Sequence, residues 1–113
     1  MLSITLEFVK GTLLIRLEGI LTKETNKKLM DKIDEMIYEK GVKYFVLNLE
    51  GLESIDDISL NCLMKKYYEA ICNNGKLIIC GYNILNNNTI NSLIENKILI
   101  SNNELSALRM INI

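Results

Sequence analysis

The sequence predicts an α/β fold: one mixed β-sheet, antiparallel in an N-terminal hairpin and parallel at its centre, packed against about four helices. Two observations predict it. Two stretches of apolar/polar alternation meet at Lys10-Gly11. A continuous apolar run at Phe45, Val46, Leu47 and Leu49 is followed by a segment of helical period and then by a second apolar run, Lys76–Cys80. Strand, helix and strand in that order form a right-handed parallel crossover. At 113 residues the chain is large enough for one core and too small for two, so residues 1–113 are expected to form a single domain.

The elements follow in order. Ser3 to Lys10 places Ile4, Leu6 and Phe8 on one face and Ser3, Thr5 and Glu7 on the other. Thr12 to Glu18 repeats the pattern with Leu13, Ile15 and Leu17, and Gly11 supplies the positive φ that a tight hairpin turn needs. Gly19 is expected to end the hairpin. From Lys23 to Lys40 the period becomes helical, with Leu29, Ile33, Met36 and Ile37 in one stripe; Thr22 or Thr25 is the candidate N-cap and Gly41 the stop.

Lys43–Leu49 reads as a strand buried on both faces. An acidic loop is expected next, carrying Glu50, Glu53, Asp56 and Asp57 with no basic residue among them. Leu60, Leu63, Met64, Tyr67 and Ile71 then mark a helix that Asn74-Gly75 closes. After the strand Lys76–Cys80, a short helix is expected over Asn87–Glu95 and a final strand at Ile98–Ile100. Ser101 with Glu104 three residues on fits a capping box that opens a last helix through Leu105, Leu108 and Ile111.

Composition narrows the function classes. Hydrophobic residues are 49% and charged residues 24%, which is globular rather than disordered. A formal charge of −1 gives no electrostatic case for nucleic acid or an anionic membrane as partner. No apolar run approaches the roughly 18 residues of a membrane span. Glu7, Lys10 and Arg16 interrupt any candidate leader, so a cytoplasmic protein is expected. The absence of histidine removes Ser-His-Asp and Cys-His nucleophile pairs, histidine metal sites and the commonest general base. Cys62, Cys72 and Cys80 are odd in number and lack CxxC spacing; Cys62 and Cys80 read as small buried hydrophobes. No catalysis, cofactor or metal is expected. Fourteen asparagines and no proline, with Asn86-Asn87-Asn88 the extreme case, read as compositional bias in a loop.

A strand that feeds a helix presents the intervening loop at the carboxyl end of the sheet, where open α/β folds place their working groups. The segment from Tyr44 to Met64 resembles, position by position, the signature of the STAS domain and in particular of bacterial anti-sigma factor antagonists. Val46-Leu47-Asn48-Leu49 with Leu52 and Ile55-Asp56 is similar to the antagonists' strand and switch loop. Gly19-Ile20-Leu21-Thr22 resembles their Gly-Glu-Leu-Asp, with Thr22 in place of the aspartate. Asn74-Gly75-Lys76 with Ile78-Ile79-Cys80 is similar to their glycine-led strand, and Glu104–Leu108 to their last helix. The likeness covers about residues 12–81 and thins beyond Gly81, where the family's usual proline is missing.

The resemblance implies a protein that binds a kinase-type anti-sigma factor and is switched by phosphorylation of a serine directly after the aspartate. Here Asp56 matches the aspartate and Asp57 stands where the serine should be. Asp57, Ile58, Ser59 and Asn61 depart from the family's Ser-Ser-Gly-Gly. Asp57 carries one negative charge against about −1.5 to −2 for phosphoserine. It reads either as a fixed imitation of the phosphorylated state or as a helix N-cap, a task that also suits Asp56. Ser59 is a candidate shifted phosphoacceptor. The residues expected to meet a partner are Thr22, the loop Glu53–Ile58 with Asp56 and Asp57, and Ser59, Leu60, Asn61 and Met64 on the following helix.

Two other readings stand beside this one. A STAS module can serve as a scaffold or ligand-sensing subunit without sigma-factor control. An aspartate phosphotransfer receiver needs an acidic pair after its first strand, where this chain has Phe8-Val9-Lys10. The sequence leaves a weak homodimer open.

Overall fold

The computed structural model describes residues 1–112. Five strands form one sheet in the order β1-β2-β3-β4-β5: Leu2–Val9, Thr12–Leu21, Tyr44–Ile55, Lys76–Cys80 and Ile100–Ser101. β1 and β2 are antiparallel and the remaining neighbours are parallel. The helices are α1 (Asn26–Asp34), α2 (Asp57–Cys72), α3 (Asn87–Glu95) and α4 (Glu104–Ile111), with a single 3-10 turn at Tyr82–Ile84.

The hairpin turn is as expected. Lys10 and Gly11 both take positive φ, 49° and 83°, the pair of left-handed residues that matches the twist of a two-residue hairpin. α1 runs into a wider π-helical turn over Glu35–Glu39, where the Lys40 N–H donates to the Glu35 carbonyl at 3.1 Å. Gly41, at φ 67°, then stops the helix.

Strand alternation divides the core between the two faces. Leu13, Ile15 and Leu17, Phe45, Leu47 and Leu49, and Leu77 and Ile79 pack with Leu29 and Ile33 of α1, Leu63 and Tyr67 of α2 and Leu93 of α3. Leu14, Val46, Ile78 and Cys80 face the other way, where Ala107 of α4 covers them. α4 is fastened by charge as well as by packing. Arg16 Nε and a terminal guanidinium nitrogen donate to the two Glu104 oxygens at 2.7 and 2.8 Å, a bidentate pair, and the Asn48 amide donates to Glu104 at 2.8 Å. The Arg16 hydrogen bonds hold the Glu104 carboxyl below the usual range, against the opposing pull of burial.

Several boundaries differ from those expected. β2 continues through Gly19 to Leu21, with register shifts against β3 on either side of Gly19. Gly19 has φ 99°, and a Cβ there would strike the Met1 carbonyl, so the glycine serves a bulge rather than a strand end. β3 likewise runs to Ile55, so Glu50 and Glu53 lie on a strand and not in an acidic loop. Gly51 makes this extension feasible, because a side chain there would meet the Leu17 carbonyl across the ladder.

The capping box at Ser101 does not form. Ser101 is buried in β5 opposite Cys80, and Asn103 caps α4 instead, accepting the Ser106 N–H at 2.9 Å. The last strand is correspondingly Ile100–Ser101 rather than Ile98–Ile100. Leu6 and Phe8 alternate as expected but are 36% and 58% exposed, because the helices do not reach across the outermost strand. Cys80 is buried, which pushes its thiol up to about 12, whereas Cys72 is exposed and Cys62 half-buried. No helix among the described residues is long and apolar enough to cross a membrane.

Candidate functional site

The carboxyl ends of β2 and β3 lie side by side, paired from Glu18↔Gly51 to Leu21↔Ile55, and deliver two connections to one place. From β2 the chain turns at Thr22 into α1; from β3 it turns at Asp56 into α2. Thr22 is half-buried and its N–H donates to Thr25 Oγ1 at 2.9 Å, while the Thr25 hydroxyl donates to the Ile20 carbonyl at 2.8 Å. Thr25 therefore precedes α1 without capping it through its side chain. It fastens the turn that presents Thr22.

Asp56, not Asp57, is the N-cap of α2. Its backbone is extended (φ −95°, ψ 167°), and its Oδ1 accepts the Ser59 N–H at 2.8 Å. Its Oδ2 accepts the Lys23 N–H at 2.9 Å, so one carboxylate ties both connections together. Hydrogen bonds from the Ser59 hydroxyl and N–H, followed by that from Lys23, lower the Asp56 pKa by favouring the ionised form.

Ser59 is fully buried, and its hydroxyl accepts a hydrogen bond from the Asn26 side-chain amide at 3.2 Å. Although expected to meet a partner, it lies inside the fold, where a kinase could not reach it in this conformation. Serine is used here because the first turn of α2 lies against α1, where a small polar residue closes the gap and satisfies Asn26.

Asp57 is the first residue of α2 and is exposed, with no hydrogen bond or ion pair for its carboxylate among the described residues. Ile58 beside it is 52% exposed. Asn61 is exposed, and Leu60 and Met64 are half-buried. Asp57, Leu60, Asn61 and Met64 form one wall of an open groove of about 320 Å³, whose other wall is Thr89, Ser92 and Leu93 of α3.

The sequence offered no signal for Thr89 and Ser92. They come from a separate helix whose polar face looks like any solvated one. The four carboxylates expected in one patch are divided. Glu50 lies beside Gly81 and Cys80 on the α4 side of the sheet, Glu53 is exposed on β3, and Asp56 is engaged as a cap. No group of three Asp, Glu or Cys side chains among the described residues is arranged to hold a metal ion.

The model of the STAS domain matches residues 3–104. The chain belongs to the STAS family. Its curated relatives include the anti-sigma F factor antagonist of Paenibacillus polymyxa, 28% identical over 82 residues that span 73% of this chain and 70% of that protein. Among solved structures it is similar to the anti-sigma factor antagonist SpoIIAA in its unphosphorylated form (TM-score 0.77, 20% identity, 97% and 98% of the two chains). It is also similar to an anti-sigma factor antagonist from Mycobacterium paratuberculosis (TM-score 0.82, 14% identity, 100% and 96%). A third neighbour is the Bacillus cell fate determinant SpoIIAA in its phosphorylated form (TM-score 0.73, 18% identity, 90% and 92%). At these identities the solved structures establish the shared STAS fold, and the mixed sheet with four helices is that fold.

Proposed function

We propose that this STAS protein is an anti-sigma factor antagonist that binds a kinase-type anti-sigma factor and holds a fixed negative charge, Asp57, at the position of the phosphorylatable serine. The binding surface is the end of β3 from Glu53, the exposed residues Asp57, Ile58 and Asn61, the half-buried Leu60 and Met64 that line the groove, and Thr22 on the adjoining turn. Asp56 and Ser59 act from beneath it by fixing the first turn of α2.

The observation that carries this reading is the division of labour between the two aspartates. Asp56 already supplies the cap, so Asp57 is not needed for capping and projects a carboxylate at the surface. That carboxylate lies at the positive end of α2, where a phosphoryl group would also be favoured. Ile58 adds an apolar contact beside it, a combination suited to a protein partner rather than to a small polar ligand.

Titration of the wild type and Asp57→Ser against a kinase-type anti-sigma factor tests the proposal. Tighter binding by the serine variant supports a charge that mimics the phosphorylated state. Absence of binding by both proteins would overturn the anti-sigma reading and leave the scaffold role.

A further inference from the structure

The outer edge of β1 is unpaired among the described residues. β1 is the terminal strand of the sheet, eight residues long, and its ladder to β2 runs without a bulge from Leu2↔Gly19 to Val9↔Thr12. The Ile20 N–H donates to the Met1 carbonyl at 2.9 Å, which makes Met1 and Ile20 a hydrogen-bonded pair. Bonded and non-bonded pairs alternate in an antiparallel ladder. Ser3, Thr5, Glu7 and Val9 therefore spend their backbone groups on β2, and those of Leu2, Ile4, Leu6 and Phe8 point outward from the sheet.

Exposed edges are normally blunted by proline, a bulge, a short strand or lysine. β1 has none of these, whereas the opposite edge, β5, is only two residues long. Its single charge, Glu7, is neutralised by Arg16, whose guanidinium donates to it at 2.7 Å. The same four residues whose backbones point outward carry the apolar face of the strand, and that face is progressively uncovered: Leu2 6%, Leu6 36% and Phe8 58% exposed.

We infer that β1 pairs with β1 of a second copy, antiparallel about a two-fold axis at Thr5, to make a homodimer with one continuous sheet. The strand is self-complementary in this register. Leu2 lies opposite the partner's Phe8 and Ile4 opposite the partner's Leu6, so every outward backbone group finds a partner and Phe8 is covered by an apolar side chain. On the other face Thr5 meets the partner's Thr5 and Ser3 meets the partner's Glu7, with no like charges opposed. Because only one edge of each copy is long enough to pair, the assembly closes at two and does not propagate into a fibre.

Sedimentation equilibrium from about 10 μM to about 1 mM reads the assembly, and cysteine cross-linking reads the register. The full chain should shift from monomer to dimer across that range. Leu6→Lys, at a position already partly exposed, should weaken dimerisation at least tenfold, with an unchanged melting curve at concentrations where both proteins are monomeric.

In a Cys72→Ser background, Thr5→Cys should form a disulfide-linked dimer on mild oxidation. Its two Cα atoms lie about 4.5 Å apart in a non-hydrogen-bonded pair on the axis. Ser3→Cys should not, since its copies are roughly 13 Å apart along the strand. A monomer at all concentrations, a dimer untouched by Leu6→Lys, or equal cross-linking at the two sites would each overturn the inference.

Discussion

Asn26 of α1 donates its side-chain amide to the hydroxyl of Ser59 in the first turn of α2, at 3.2 Å, and both residues are buried. This bond joins the two helices whose N-termini frame the candidate site, directly beneath Asp56 and Asp57. Ser59→Ala should therefore destabilise the fold by about 1–3 kcal/mol, the cost of leaving a buried amide without its partner. Urea unfolding measures it. The double variant Asn26→Ala/Ser59→Ala should lose less than the sum of the single changes.

Burial of Ser59 and the carboxylate at Asp57 together leave α2 with no accessible hydroxyl in its first turn. Incubation with ATP and a serine kinase that modifies related antagonists should add no phosphate, as read by intact mass. Phosphoserine mapped to Ser59 would require α2 to open from α1 and would contradict the role assigned to Asp57.

Asp57→Ser should tighten binding to a kinase-type anti-sigma factor by about 1–3 kcal/mol if the partner's surface disfavours charge at that contact. Because Asp56 supplies the cap, the same variant should melt close to the wild type. Weaker binding by the serine variant would make the aspartate an attractive contact and end the mimicry reading. Isothermal titration alongside thermal melts separates the two effects.

Asp56 and Glu104 should both contribute to acid sensitivity. Both carboxyls have folded pKa values below their unfolded ones, through Ser59 and Lys23 for Asp56 and through Arg16 and Asn48 for Glu104. The stability each contributes is complete above the unfolded value, near 4 for such groups, and is lost as pH falls through the folded one. Glu104→Gln should therefore lower stability at pH 7 and flatten its decline between pH 5 and pH 2. Parallel denaturant curves for the two proteins across that range measure the difference.

Much of this architecture is legible in the sequence because it rests on local patterns. Alternation sets the hairpin faces, Lys10-Gly11 sets its turn, and the apolar runs at Phe45–Leu49 and Leu77–Cys80 fix a parallel centre buried on both sides. What escapes the sequence depends on partners distant along the chain. β3 extends past Leu49 because β2 offers a bulged edge to pair with, although Glu50, Gly51 and Glu53 have little strand character of their own. Ser101 looks like a cap until Cys80 claims it for the sheet, and Asn103 takes the task.

At the site, Asp56 and Asp57 are equivalent by composition. The extended backbone of Asp56 and the bond its carboxylate accepts from the Ser59 N–H decide between them. The STAS resemblance pointed to the turn between β3 and α2 as the candidate site, but no pattern in the sequence joined Thr89 and Ser92 to it.

The clamp between Arg16 and Glu104 spans 88 positions of the chain, and it dictates an order of events during synthesis. While the ribosome is still extending the chain, β2, β3 and β4 can assemble with α1 and α2 on one side. Leu14, Val46 and Ile78 on the other side stay bare until α4 is released. Nascent chains halted before Glu104 should consequently expose a greasy sheet face and attract chaperones, and completion of that short helix should end the attraction.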